Sequence, residues 1–180
     1  MTALQTPRLL LRKFSADDLD RLAELTANEG FMRFSGHSAY DRVQTEAMLE
    51  RLLAPARLGK PSQFAVILRE DGMLLGFCGF FLQMVDGDEE LEIAYRLDPE
   101  YWGRGIATEA AQAVRDHAFR DLKVDRVISL IVPENFASKK VAGKNGLRLE
   151  KETDFRGFHT QVFALTRAEW QALRTTDAGA

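Results

Sequence analysis

The sequence predicts an α/β (α+β) domain with a mixed, mostly antiparallel central sheet and helices on both faces. Strand-like and helix-like runs alternate along the whole chain. Turn signals at Glu70-Asp71-Gly72, Val85-Asp86-Gly87-Asp88 and Arg156-Gly157 join strand-like runs directly. At 180 residues, 46% hydrophobic and 28% charged, the chain suits one globular domain with a single substantial core.

Taken in order, Arg8 to Phe14 reads as the first strand, apolar on alternating positions. Ser15 to Asp18 offers an N-cap and acidic first turn to a helix carrying Leu19, Leu22 and Leu25. Gly30 to Tyr40 lacks periodicity and reads as a loop or short turn, and a second helix runs from about Val43 to Pro55. Gln63–Leu68 and Leu74–Leu82 are strands, and Glu90–Leu97 is the strand that leads to a glycine-containing junction. Beyond it Ala107, Ala110, Ala111, Val114 and Ala118 fall at helical spacing. Arg126 to Val132 is β-branched and strand-like, and a helix at Ala137–Lys144 stops at Asn145-Gly146. Leu147–Thr153 and Gln161–Leu165 close the sheet. Thr166-Arg167-Ala168-Glu169 has the form of a capping box opening a last helix, with a frayed tail expected over Thr175–Ala180. The domain is expected to span residues 1–180, with its core at about 6–174.

Composition excludes several classes. A net charge of −3 gives no footprint for nucleic acid, and no apolar run is long enough to span a bilayer. The start of the chain lacks a secretory apolar region, so a cytoplasmic location is expected. The single cysteine, Cys78, reads as a small buried hydrophobe. His37, His117 and His159 have no metal-ligand spacing, so no metal is expected.

The densest signal is Glu100-Tyr101-Trp102-Gly103-Arg104-Gly105-Ile106-Ala107-Thr108-Glu109-Ala110, at the strand-to-helix junction. Free amides and the positive end of the helix dipole make such a junction an anion cradle, and glycine lets the ligand approach the backbone. Alone, two glycines before a helix are as often a tight turn. No P-loop run is present, and Thr108 replaces the third glycine of a dinucleotide fingerprint, which counts against a nicotinamide-dependent oxidoreductase.

The junction resembles the pyrophosphate loop of the GNAT superfamily of acyl-CoA-dependent N-acetyltransferases, with Glu100 where Gln or Arg is usual. Asn135-Phe136-Ala137-Ser138-Lys139-Lys140-Val141-Ala142-Gly143-Lys144-Asn145-Gly146-Leu147 resembles a second signature of that family, with Leu147 in place of Phe. Thr6-Pro7-Arg8-Leu9-Leu10-Leu11-Arg12 resembles the first strand of the branch containing the ribosomal-protein N-terminal acetyltransferases (RimJ/RimL-like). The matches span roughly residues 6 to 170, and imply the acetyltransferase fold with acetyl-CoA as co-substrate. They also imply cofactor contacts at Leu97, Trp102, Gly103, Arg104, Gly105, Ile106, Ala107, Thr108 and Asn135.

The acceptor implied is a primary amine, on a small molecule or a protein N-terminus. Amines are largely protonated at neutral pH, so a base is required, directly or through water. Glu92 matches the family position often given that role; otherwise it is an ordinary outward-facing strand residue. Glu89 and Glu90 read as a solvated cluster beside the turn. Oxyanion donors are expected from the backbone near Tyr95 or Arg96. Ser138 reads either as a hydrogen-bond donor to the departing sulfur or as a helix N-cap, and Asn135 either as cofactor contact or as cap. Trp102, Tyr101 and Phe80-Phe81 are pocket or core, Arg104 is phosphate contact or solvated, and His37 has no assigned role. A non-catalytic acyl-CoA-binding or regulatory module of the same fold is the alternative. Neither nucleic acid nor membrane is an expected partner, and a homodimer stays open.

Overall fold

Helices cover both faces of one eight-stranded sheet in the computed structural model, which describes residues 2–177. The elements run β1 (Leu4–Gln5), β2 (Leu9–Arg12), α1 (Leu19–Thr26), α2 (Glu29–Met32), α3 (Arg42–Arg57), β3 (Gln63–Leu68), β4 (Leu74–Val85) and β5 (Asp88–Leu97). They continue with α4 (Ile106–Arg120), β6 (Arg126–Ile131), α5 (Phe136–Lys144), β7 (Arg148–Phe155), β8 (Phe158–Thr166) and α6 (Arg167–Asp177). The sheet order is β1-β2-β3-β4-β5-β6-β8-β7, and β5–β6 is its parallel pair among the described residues.

Alternation along the strands sorts side chains into two layers. Phe64, Val66, Leu75, Cys78, Phe80, Leu91, Ile93 and Leu97 face Ile106, Ala110, Ala111 and Val114 of α4, with Ala142 of α5 and Trp170 of α6 at the rim. On the opposite face Ala65, Ile67 and Phe77 meet Leu22 and Leu25 of α1, Phe31 and Met32 of α2, and Leu49 and Leu52 of α3. Each such fully buried aliphatic or aromatic side chain contributes roughly 1.5–3 kcal/mol. The end of the β4–β5 hairpin folds over β6 and β8, where Val85 packs on Ile128, Val162 and Ala164.

The helices start where polar caps allow. Asp41 Oδ1 accepts the Gln44 amide (2.8 Å) while Gln44 Oε1 accepts the Asp41 amide (2.9 Å), a reciprocal box that opens α3. The Thr166 amide and hydroxyl both donate to Glu169 (2.8 and 2.7 Å), as the sequence predicts.

Several boundaries differ from expectation. The first long strand is shorter, Leu9–Arg12, and β1 precedes it. The 30–40 segment begins in a helical turn because Asn28 caps it, accepting the Gly30 and Phe31 amides. β4 extends to Val85 because its hairpin partner β5 keeps it paired. Thr175–Asp177 stay helical in α6, and residues 178–180 of the expected tail lie outside the described residues.

Candidate active site

The sheet opens between β5 and β6. Glu92↔Ile128 is their register pair, and from there the parallel strands part. The Ser129 hydroxyl donates to Ile93 O (2.8 Å) at the point of parting. On its other side β5 stays paired with β4 as far as Leu97↔Gly76. The Asp98 amide donates to Leu75 O of β4 (2.8 Å), so by strand alternation Tyr95 and Leu97 turn their backbone groups into the opening. Arg96 turns its backbone to β4 instead. Of the two expected oxyanion donors, the geometry therefore keeps the Tyr95 amide and removes that of Arg96. The Leu97 carbonyl already accepts the Trp102 indole N–H (2.8 Å), which leaves its amide for a ligand.

The opening leads to the glycine junction. Gly103 and Gly105 both take positive φ, +74° and +78°, which Cβ-bearing residues rarely adopt. No atom lies within 4 Å of a Cβ built at Gly103, so that side of the turn is open space. The first amide to rejoin the helical ladder is that of Glu109, donating to Gly105 O (3.0 Å). Six successive amides, Gly103 to Thr108, donate to no other group among the described residues. Free amides in succession at a helix start are an anion-binding geometry. An N-terminal strap holds it: Arg8 donates to Arg104 O (2.9 Å) and pairs with Glu109 (2.6 Å), which also accepts the Thr6 hydroxyl (2.6 Å). The Arg104 guanidinium lies over the Tyr101 ring (5.0 Å), and Trp102 is half-exposed beside the turn, not in the core.

Asn135 caps α5 by accepting the Ser138 amide (3.1 Å). Ser138 is therefore not the cap; it is the third residue of α5, with its side chain beside the Tyr95 phenol. Its carbonyl accepts the Tyr95 hydroxyl (3.0 Å), which ties α5 to the strand lining the opening. Burial pushes the Tyr95 phenol well above its ordinary range.

Glu92 faces the other layer and is buried, so the outward-facing reading is corrected. It accepts the Gln83 amide (2.7 Å), and Gln83 Oε1 in turn accepts from Arg156 (3.0 Å) on the β7–β8 turn. Burial raises the Glu92 carboxyl above the usual range, while Gln83, the Leu130 amide and the Arg156 charge oppose it. Glu90 is not a solvated residue either: it pairs with Arg126 (3.1 Å) and is largely covered. Phe80 belongs to the core, whereas Phe81, register partner of Glu92, is 38% exposed on the carboxylate's face.

On that face Phe34 and Phe158 are exposed as well, and the Phe158 ring stands 3.5 Å from where a Cβ on Gly36 would lie. The 33–38 segment and the β7–β8 turn thus meet above Glu92. Gln83, Arg156, Ser129 and the hydroxyl contact of Tyr95 escape sequence reasoning because each acts through a partner that strand register or tertiary packing brings near. Only hairpin register could have brought Gln83 beside Glu92. Cys78 is buried, and burial raises its thiol far above the reactive range. No group of three metal-ligating side chains assembles among the described residues.

Residues 8–148 match the model of the acetyltransferase (GNAT) domain family. The chain is 31% identical over 160 residues to the uncharacterized N-acetyltransferase p20 of Bacillus licheniformis, covering 88% of each chain. It superposes on a GNAT-family acetyltransferase from Bacillus anthracis with a TM-score of 0.79 at 26% identity, over 93% of this chain and 99% of that one. A RimJ from Mycobacterium smegmatis in complex with CoA-disulfide shares the fold, with a TM-score of 0.78 at 22% identity over 99% of this chain and 93% of that one. The chain belongs to the GNAT acetyltransferase family, whose acyl donor is acetyl-CoA.

Proposed function

We propose that this chain is an acetyl-CoA-dependent N-acetyltransferase in which a primary amine attacks the thioester directly, without a covalent enzyme intermediate. The reading rests on the opening between β5 and β6, with the buried Glu92 at the strands' point of parting and six free amides, Gly103–Thr108, beyond the end of β5. Pyrophosphate rests on those amides, and Leu97, Trp102, Arg104 and Asn135 border the path of the donor. The pantetheine arm pairs with the free edge of β5 through the Leu97 amide, as an added strand would.

Glu92 takes the proton from the amine, directly or through water, from the α1–α3 face of the sheet. A raised carboxyl is a better-matched base for an ammonium than an ordinary one, and it loses function as pH falls through its own pKa. The Tyr95 amide faces the developing oxyanion. On the opposite face the Ser138 hydroxyl donates to the sulfur, a modest role because a thiolate leaves readily. Base and leaving-group donor thus lie on opposite sides of the sheet plane, with the reacting carbon between them.

The acceptor is an amine-bearing small molecule or a protein N-terminus, and the fold shared with RimJ supports the second no more than the first. No helix among the described residues is long and apolar enough to cross a membrane. A cytoplasmic location and one catalytic domain over residues 1–180 are part of this proposal. The test is acetyl-CoA addition followed by thermal melting, with a panel of amines assayed for CoA release. A raised midpoint with amine-dependent release is expected. A protein that binds acetyl-CoA but passes its acetyl group to no amine is the non-catalytic module.

A further inference from the structure

Five arginines that are not fully exposed, Arg12, Arg21, Arg115, Arg126 and Arg167, each have a carboxylate within 4 Å. Arg96 is also not fully exposed, and it has none among the described residues. Its guanidinium lies over the rings of Phe77 (5.4 Å) and Phe31 (5.7 Å), with Met32 Sδ at 3.4 Å. Aromatic faces and a thioether leave most of its five donors unused. Desolvation of that cation is offset by no carboxylate, only in part by the nearby Tyr40: burial draws it down to about 10, so it stays charged at neutral pH.

The position of this cation gives it a use. Glu92, Ala94 and Arg96 alternate onto the same face of β5. Their register partners on β4 are Phe81, Gly79 and Phe77. Between the carboxylate and the guanidinium stand the two smallest residues, Ala94 and Gly79; the β3 backbone closes over Gly79, where a Cβ would meet Gln63 Cα at 2.6 Å. The free side of the row is therefore at Ala94, and the two Cα atoms at its ends stand about 13 Å apart. Across from Gly79 lies Gln63, 2% exposed, whose carboxamide nitrogen and oxygen both lack partners among the described residues. Buried unpaired donors of this kind call for a polar occupant. The only charge this row supplies for an occupant at its far end is positive.

We infer that the acceptor is an amine bearing a carboxylate several bonds away, its amine toward Glu92 and its carboxylate on Arg96. This rests on the transferase reading and narrows its substrate class. The carboxylate comes from a small amino acid or from an acidic residue near a peptide's N-terminus, and matched pairs separate the two. We would compare 4-aminobutyrate with butylamine, and an Asp-led tripeptide amide with its Asn-led counterpart, for CoA release and for thermal shift on the acetyl-CoA-saturated protein. The charged member of one pair should win by roughly ten- to hundredfold in kcat/KM, mostly through KM, as for a hydrogen bond between charged groups.

Arg96→Met keeps the stacked volume and should erase that preference, while Arg96→Lys keeps part of it. A variant that still gains stability from acetyl-CoA is folded and fit for the comparison. A purely structural Arg96 would instead lower both members of each pair alike. Equal kcat/KM within both wild-type pairs, or a preference that survives Arg96→Met, overturns the inference. If no amine accepts acetyl at all, the transferase reading falls. The thermal shift then still decides whether Arg96 holds a carboxylate.

Discussion

From Gly103 to Thr108 the chain offers a ligand its amides; from Glu92 to Arg96 it offers side chains. The first surface is contiguous in sequence, made by two left-handed glycines and a helix start, and any residue types that permit the turn would serve. The second draws Glu92 and Arg96 from β5, Gln83 from β4, Phe31 and Met32 from α2, and Arg156 from the β7–β8 turn. Binding with backbone yields a site that accepts the same cofactor in many sequences. Binding with assembled side chains yields one that can change its acceptor by exchanging a few of them.

The comparison breaks first at Glu92. Replacing it with Gln should lower kcat by ~100- to 10,000-fold, the usual range for a general base, and leave the stabilisation by acetyl-CoA close to wild type. Raising the pH should restore part of the rate, because more amine is then already neutral. A loss below tenfold would make the carboxylate a bystander and leave the backbone half to account for catalysis alone.

Gly105→Glu attacks the other half. The residue sits at φ +78°, its Cβ would stand 3.4 Å from the Arg8 guanidinium, and the new charge enters the anion cradle. A ligand at 100 times its Kd stabilises by about 2.7 kcal/mol, and that increment should disappear from melting curves taken with acetyl-CoA. Gly105→Ala separates conformational strain from charge: it should cost ~1–2 kcal/mol of stability yet keep most of the ligand response. A folded glutamate variant with an undiminished response would remove the loop from the site.

This contrast also explains what could be read in advance. The glycine turn, the Thr166 box and the hairpin turns are local, so spacing alone carries them. The Glu92–Gln83–Arg156 chain needs the β4–β5 register and the landing point of a second hairpin, and neither is fixed by spacing. The same holds for Asn135 and Ser138. Both lie in a recognisable run, but which of them caps α5 depends on where the helix begins, and it begins at Phe136.

Ser138→Ala follows with a smaller effect. Losing one neutral hydrogen bond to a good leaving group should slow turnover by about ten- to thirtyfold, or ~1–2 kcal/mol. Because Asn135 provides the cap and Ser138 only adjoins the Tyr95 phenol, the melting midpoint should move less than on removing the cap. Asn135→Ala should cost more stability, ~1 kcal/mol. A Ser138→Ala protein that melts early at full speed would exchange the two roles.

The smallest expected effect concerns the stability cost of holding Glu92 in the acceptor half. Its carboxyl is raised by burial above the value it has in the unfolded chain. Between the unfolded and folded pKa values the native state keeps a proton that the unfolded state releases, so stability falls as pH rises through that window. Above the folded pKa the full cost is present and the curve flattens. Glu92→Gln removes the titration, so the variant should gain on wild type as pH rises from about 4.3, by ~1 kcal/mol per unit of pKa shift. Urea midpoints of both proteins, taken without ligand from pH 4 to pH 8, measure the difference. A gap that widens and then levels places the strain at the carboxylate. If wild type instead gains on the variant over that range, Gln83, the Leu130 amide and Arg156 outweigh desolvation. The acceptor half would then hold its base as a stabilised anion, a weaker match for the ammonium it must deprotonate.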